Sequence, residues 1–209
     1  MKTHLIVNVA MSLDGYITNE RGRKTLLSNH KDLVRVHELR ASVDGVMVGI
    51  NTVLVDDPQL TVRDVAGRNP ARIVVDSNAR IPLEAKLLEE EGDVILLTTT
   101  QAENRKLKKL QLLGVDLVKV GEDRVDLKEG LFELSQRGIR KILVEGGATL
   151  ITSMLEEKLV DELYVTVAPQ VFGGGVPLFS EEFKSKVKLD LDGIKQLDDQ
   201  VVLHYMVKK

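Results

Sequence analysis

Thr52, Asp56, Asp57 and Arg63 crowd into a short stretch directly after the apolar run Val46-Met47-Val48-Gly49-Ile50. A hydroxyl and two carboxylates could hold ribose hydroxyls or an amide, while Arg40 and Arg63 could grip a phosphate through charge-assisted bonds. The same residue types also serve as helix caps and solvent ion pairs, which is their commoner use. Position favours the first reading, because the run from Gly45 looks like a buried strand that enters a polar turn. In open α/β sheets ligands bind outside the carboxyl ends of the strands. Two further apolar runs end in the same way. Arg72-Ile73-Val74-Val75 leads into Asp76-Ser77-Asn78, and Lys141-Ile142-Leu143-Val144 leads into Glu145-Gly146-Gly147-Ala148-Thr149. Three polar strand ends point to one shared site.

The turn at Gly146 and Gly147 opens a helix, where free backbone N–H groups and the positive end of the helix dipole attract a phosphate. It lacks the GxGxxG spacing and the P-loop Lys, so the glycines either admit a ligand to the backbone or supply positive φ and nothing more. Phe172-Gly173-Gly174-Gly175-Val176-Pro177 reads first as a flexible connection between strands and second as a flap over a ligand. His4, His30, His37 and His204 show no metal-ligand spacing and no adjoining serine nucleophile motif, so no metal site is expected. Glu89-Glu90-Glu91 reads as a solvated helix end.

The elements that must position these groups alternate. Leu5 to Met11 reads as a strand, followed by a turn at Asp14-Gly15. Asn29 offers a helix cap with Asp32 three residues on, and Leu33, Val36, Leu39 and Val43 supply an apolar stripe up to about Gly45. Further strands are expected at 72–75, 93–97, 115–120 and 141–144, with Pro82 breaking the chain between the first two. Helices are expected at 101–113, 127–137 and 149–158, the first two stopped by Gly114 and Gly138. This order predicts an α/β fold with a mostly parallel central sheet and helices on both faces. From Leu163 onward, strands at 163–168, 187–191 and 201–207 follow without a long helix, so the sheet is expected to finish antiparallel.

At 209 residues, with no spacer or repeat, the chain suits one domain over 1–209, burying roughly 70% of its unfolded surface. A net charge of -3 leaves no polybasic surface for nucleic acid. No apolar run approaches the ~20 residues of a membrane span or the core of a signal peptide, so the expected location is cytoplasmic. The absence of cysteine excludes disulfides, thiolate nucleophiles and Cys-ligated zinc.

Six segments taken in order, Asn8–Gly15, Val36–Ala41, Gly49–Arg63, Pro70–Ser77, Val144–Leu150 and Leu159–Leu163, resemble the reductase of riboflavin biosynthesis over nearly the whole chain. The resemblance is to the stand-alone archaeal or fungal type, because the chain has neither the length nor the cysteines of the zinc deaminase domain that precedes the bifunctional members. It implies a dihydrofolate-reductase-like fold, a homodimer, and hydride transfer from NADPH, with NADH as an alternative. The hydride would go to C1′ of the ring-opened ribose of 2,5-diamino-6-ribosylamino-4(3H)-pyrimidinone 5′-phosphate, giving the ribitylamino product. It assigns Ala10, Thr52, Asp56, the stretch Val75, Asp76, Ser77 and Asn78, and the turn Gly146, Gly147, Ala148, Thr149 and Leu150 to the cofactor. Thr25, Arg40, Leu60, Arg63 and Glu145 fall to the substrate, with Glu145 also the candidate proton donor. Tyr16 departs from the basic residue that many members carry after the Asp-Gly turn. Two other functions fit the same elements: a dihydrofolate or pterin reductase, and a regulatory domain that holds NADP without turnover.

Overall fold

The computed structural model describes residues 3–20, 23, 25–179, 183 and 186–209. In chain order its elements are β1 (His4–Ser12), β2 (Tyr16–Thr18), α1 (His30–Ala41), β3 (Gly45–Gly49), α2 (Ile50–Asp56), β4 (Ala71–Val75), α3 (Lys86–Glu89) and β5 (Val94–Thr98). There follow α4 (Asn104–Leu112), β6 (Asp116–Lys119), α5 (Leu127–Gln136), β7 (Lys141–Val144), α6 (Ala148–Glu156), β8 (Glu162–Ala168), β9 (Val176–Pro177), β10 (Leu189–Leu197) and β11 (Gln200–Val207). The main sheet runs β10-β11-β8-β1-β7-β3-β4-β5-β6, and β2 pairs with β9 in a small second sheet.

Alternate residues of the strands feed two cores. Met47, Ile73, Ile95 and Ile142 pack with Leu131 and Leu134 of α5 and Ile151 and Met154 of α6. Val46, Val48, Val74 and Leu96 pack with Val53 of α2, Leu87 of α3 and Leu110 of α4. Helices therefore cover both faces, as a parallel sheet requires. Each fully buried aliphatic side chain contributes about 1.5–3 kcal/mol from water exclusion, which outweighs local propensity in these short strands. Among the described residues no helix is long and apolar enough to cross a membrane.

Four details go beyond or against expectation. The strand at 163–168 has one neighbour of each sense: β8 runs parallel to β1, in register from Ile6 opposite Glu162 to Ser12 opposite Ala168, and antiparallel to β11. The helix α6 before it is long enough for a crossover, and reversal begins only at β11, joined to β10 by a hairpin at Asp198 and Asp199. The polar turn expected after Gly49 is the helix α2, with Thr52 inside it. On α1, Asn29 caps as expected, accepting from the Asp32 N–H at 2.9 Å. Its buried face, however, is Asp32, Arg35, His37 and Arg40, and Leu33 is exposed. That face is tolerated because its charges are paired: Arg35 bonds Asp32 and Asn8, each at 2.8 Å. Finally, the β2–β9 pair arises where no strand was expected, whereas the helix end expected at Glu89 is that of the short α3.

Arg72 is fully buried in β4, and its guanidinium donates to the carbonyls of Leu87, Glu90 and Gly92, tying the α3 segment to the sheet. Arg72→Met should lower the unfolding free energy by about 3 kcal/mol, because three inward carbonyls lose a charged donor. Arg72→Lys should recover only part of that, lacking the fork. Urea denaturation measures both; a loss below about 0.5 kcal/mol would mean that water replaces the guanidinium without cost.

Candidate active site

β3 and β7 are neighbours, but their chains leave in opposite directions. β3 continues through α2 to β4 on one side, whereas β7 continues through α6 to β8 beyond β1. Because α2 and α6 pack on opposite faces, a crevice opens at the carboxyl ends of these two strands, the switch point where open sheets bind ligands. The strand ends are fastened together there. Gly49 N–H donates to Gly146 O at 3.1 Å, and Glu145 N–H donates to Met47 O at 3.0 Å.

Gly147 is the N-cap of α6 at φ 88, a conformation that other residues adopt only under strain. A Cβ there would lie 3.5 Å from Gly49 Cα, so the backbone angle rather than space calls for glycine. No side chain caps this helix, and its first turn lines a groove of about 820 Å³. Uncapped N–H groups at a positive helix end fit the pyrophosphate of a dinucleotide. Along the sheet, Ile17, Thr18, Thr25 and Val176 bound one end of the groove. Thr52 and Asp56 lie at its middle with the α6 turn, and Val75, Ser77, Arg80 and Arg124 bound the other end. A smaller hollow of about 380 Å³ continues past Arg124 and Val125.

Of the residues picked from sequence, the groove brings together Thr25, Thr52, Asp56, Val75, Ser77, Gly147, Ala148, Thr149 and Leu150. Gly146 stands behind them, its carbonyl spent on Gly49. Asp76 is 1% exposed, accepts from Ile81 N–H at 2.9 Å, and burial pushes its carboxyl above the usual range. Asn78 is exposed beyond the groove wall, and Ala10 is half-buried in β1 opposite Thr166. Leu60, at φ 58, packs its side chain into the core beside α2.

Arg40 and Glu145, assigned separately to the substrate, form one pair. Arg40 Nε and Nη2 donate to the two Glu145 oxygens, each at 2.6 Å, and Nη1 donates to Thr61 O at 2.9 Å. Burial opposes the Arg40 charge, but the adjoining Glu145 carboxylate more than offsets it and holds the guanidinium above its ordinary value. Both Glu145 oxygens accept from one fork, which fixes the carboxylate in place. Arg63 is exposed; its N–H donates to His37 Nδ1 at 3.0 Å and its Nη1 to Thr61 Oγ1 at 2.8 Å. Among the described residues no three His, Asp or Glu converge as a metal site.

Sequence reasoning missed Ile17, Val176, Arg80 and Arg124. The Asp14-Gly15 turn and the three glycines near Val176 hinted at the first two. Arg124 carried no local signal, because it reaches the groove through a long-range bond from Val125 N–H to Ser77 Oγ at 3.3 Å.

Residues 3–203 match the family model described as RibD C-terminal domain. The chain is similar to the 2,5-diamino-6-ribosylamino-4(3H)-pyrimidinone 5′-phosphate reductase of Methanothermobacter thermautotrophicus, 38% identical over 221 residues and covering 100% of both chains. It superposes on Acinetobacter baumannii RibD with a TM-score of 0.88 at 29% identity, covering 100% of this chain and 59% of that one. It therefore spans somewhat over half of that longer protein. A dihydrofolate reductase from Enterococcus faecalis, at TM-score 0.56 and 16% identity over 99% of this chain and 97% of the other, shares the fold.

Arg40→Met should cost about 3 kcal/mol, since it strands a buried carboxylate, and adding Glu145→Gln should restore most of the loss. Chemical denaturation of both single variants and the double variant tests the coupling; simple additivity would show that the two residues act apart. His37 supplies a pH test. Burial, then Arg40, pull its imidazole below 6.5 against the opposing pull of Asp64, so the fold prefers it neutral. Its stabilising contribution is complete above pH 6.5 and declines as the pH falls below that, where the unfolded chain binds the extra proton. Thermal unfolding against pH should show that decline, and His37→Gln should flatten it.

Proposed function

The chain belongs to the RibD C-terminal domain family, and from that premise we propose that it is the NADPH-dependent reductase of 2,5-diamino-6-ribosylamino-4(3H)-pyrimidinone 5′-phosphate in riboflavin biosynthesis. The observation that carries the cofactor half is the uncapped first turn of α6 opening on the groove beside α2. The substrate half rests on the relatives that bear this name and match over most of the chain.

When bound, the nicotinamide would supply the hydride to C1′ of the ring-opened imine, and a proton drawn ultimately from solvent would complete the ribitylamino nitrogen. The protein contributes binding and placement. The turn Gly146 to Leu150 takes the pyrophosphate, Thr52 and Asp56 hold the cofactor at mid-groove, and Val75, Asp76, Ser77 and Asn78 shape its adenosine end, with Ala10 approaching from β1. Thr25, Leu60 and Arg63 belong to the substrate side, with Arg63 on the 5′-phosphate. Glu145, fixed by Arg40, orients the pyrimidine by accepting hydrogen bonds. Excluding water and holding the two reactants in a near-attack geometry can supply about 7–11 kcal/mol of the barrier. In this reading the 209 residues are one reductase domain, NADPH or NADH supplies the hydride, and the enzyme works as a cytoplasmic homodimer.

The decisive assay follows NADPH oxidation by absorbance with freshly made pyrimidine phosphate, and with dihydrofolate in parallel. Turnover with the first and none with the second is expected. Binding of NADPH without turnover of a verified substrate would leave a non-catalytic nucleotide-binding domain in its place. Arg63→Ala should lower kcat/KM about tenfold or more for the phosphorylated substrate, the equivalent of roughly 1.4 kcal/mol, and leave the dephosphorylated one unaffected. Equal losses on both would remove Arg63 from the phosphate.

A further inference from the structure

The three glycines singled out in the sequence have so far had no role in the chemistry, and neither has Asp14. The structure joins them. Asp14 occupies the turn between β1 and β2, and its carboxylate reaches across to the strap at 170–178. Oδ2 accepts from Gly173 N–H at 2.7 Å, and Phe172 N–H lies 3.1 and 3.2 Å from Oδ1 and Oδ2. Ser12, wholly buried, donates its hydroxyl to Asp14 Oδ1 at 2.6 Å and accepts from Tyr16 N–H at 3.0 Å, so the turn is held by its own residues as well as by the strap. The Ser12 hydroxyl, assisted by the Phe172 and Gly173 N–H groups against some desolvation, holds the Asp14 carboxyl down at about 2.

The strap has few other fastenings. β9 is two residues long, and one of them is Pro177, which has no N–H to give. Two main-chain bonds flank it, Leu178 N–H to Gly15 O at 3.0 Å and Leu13 N–H to Gln170 O at 2.7 Å. Gly175, at φ 133, lies so close to β2 that a Cβ there would sit 2.0 Å from Thr18 O. The contact matters because Ile17 and Thr18 on β2 and Val176 on β9 form the wall at one end of the groove, opposite the end bounded by Ser77 and Arg124.

We propose that Asp14 is a positioning residue that latches the 170–178 strap and thereby sets the width of the groove at its substrate end. The proposal rests on the reductase reading of the groove and assigns the latch to the pyrimidine substrate rather than to the dinucleotide, whose pyrophosphate belongs at α6.

Asp14→Ala should raise KM for the pyrimidine phosphate about tenfold, with kcat changed less than about threefold and the Kd for NADP⁺ by calorimetry changed less than about twofold. Amide exchange at Phe172 and Gly173 should accelerate in the same variant. Asp14→Asn, which keeps an acceptor oxygen but loses the charge, should fall between parent and Asp14→Ala. Gly175→Ala, pushing the strap off Thr18 with Asp14 intact, should reproduce the raised substrate KM. A parental KM in Asp14→Ala alongside faster exchange at 172 and 173 would overturn the assignment to the substrate wall. A joint fall of Tm and kcat with KM unmoved would reduce Asp14 to a structural role. If the parent itself fails to turn over, the reductase reading fails separately, and unchanged exchange at 172 and 173 in Asp14→Ala would overturn the latch by itself.

Discussion

At the end of β3 the chain must turn to one face of the sheet, and at the end of β7, its immediate neighbour, to the other. The two hydrogen bonds that join these ends, Gly49 to Gly146 and Glu145 to Met47, keep the strands paired up to the point of divergence. Past that point no main-chain hydrogen bond among the described residues joins the two, and the first turns of α2 and α6 face the gap from either side. Everything assigned to ligand binding depends on this arrangement. A shift of either strand by one residue would exchange its buried faces and carry Thr52 or Gly147 away from the crevice, so the aliphatic alternation of Val46, Met47 and Val48 also sets the site's geometry.

The polar face of α1 is the second determinant. A helix that buries Asp32, Arg35, His37 and Arg40 obtains little of the usual hydrophobic reward. Buried ion pairs are close to neutral for net stability, so what the Arg40–Glu145 fork provides is chiefly orientation. It ties the carboxyl end of β7 to the helix packed against it, and through Thr61 to the loop that carries Arg63. Asp32 Oδ2 and Arg35 Nη1 lack hydrogen-bond partners among the described residues, a local cost that the surrounding contacts must offset.

Much of this was legible in the sequence. The apolar runs ending at Gly49, Val75 and Val144 located three of the strand ends that meet at the groove, and the capping signal at Asn29 marked the start of α1. What the pattern could not convey was pairing at a distance. β8 reads like any strand before a hairpin, and its parallel alignment with β1 follows from the crossover through α6 rather than from its own residues. Of the stripe Leu33, Val36, Leu39 and Val43, Leu39 and Val43 pack against the core while Leu33 is exposed, and a periodicity count cannot see that Arg35 and Arg40 are buried because they find Asp32 and Glu145. Arg124 and the β2–β9 wall enter the site through loops whose local sequence only says turn.

The position of β1 in the sheet has a consequence for biosynthesis. This strand is made before every other strand of the sheet, yet its sheet neighbours are β7 and β8, with His4 opposite Lys141 and Ile6 opposite Glu162. At a synthesis rate of about 5–20 residues per second, its apolar stretch waits on the order of ten seconds on a growing chain before either flank exists. β3 through β6 can assemble beforehand, since each pairs with its successor. The centre of the finished sheet therefore closes after the β3–β6 side, and the crevice between β3 and β7 comes into being only once β7 has been made.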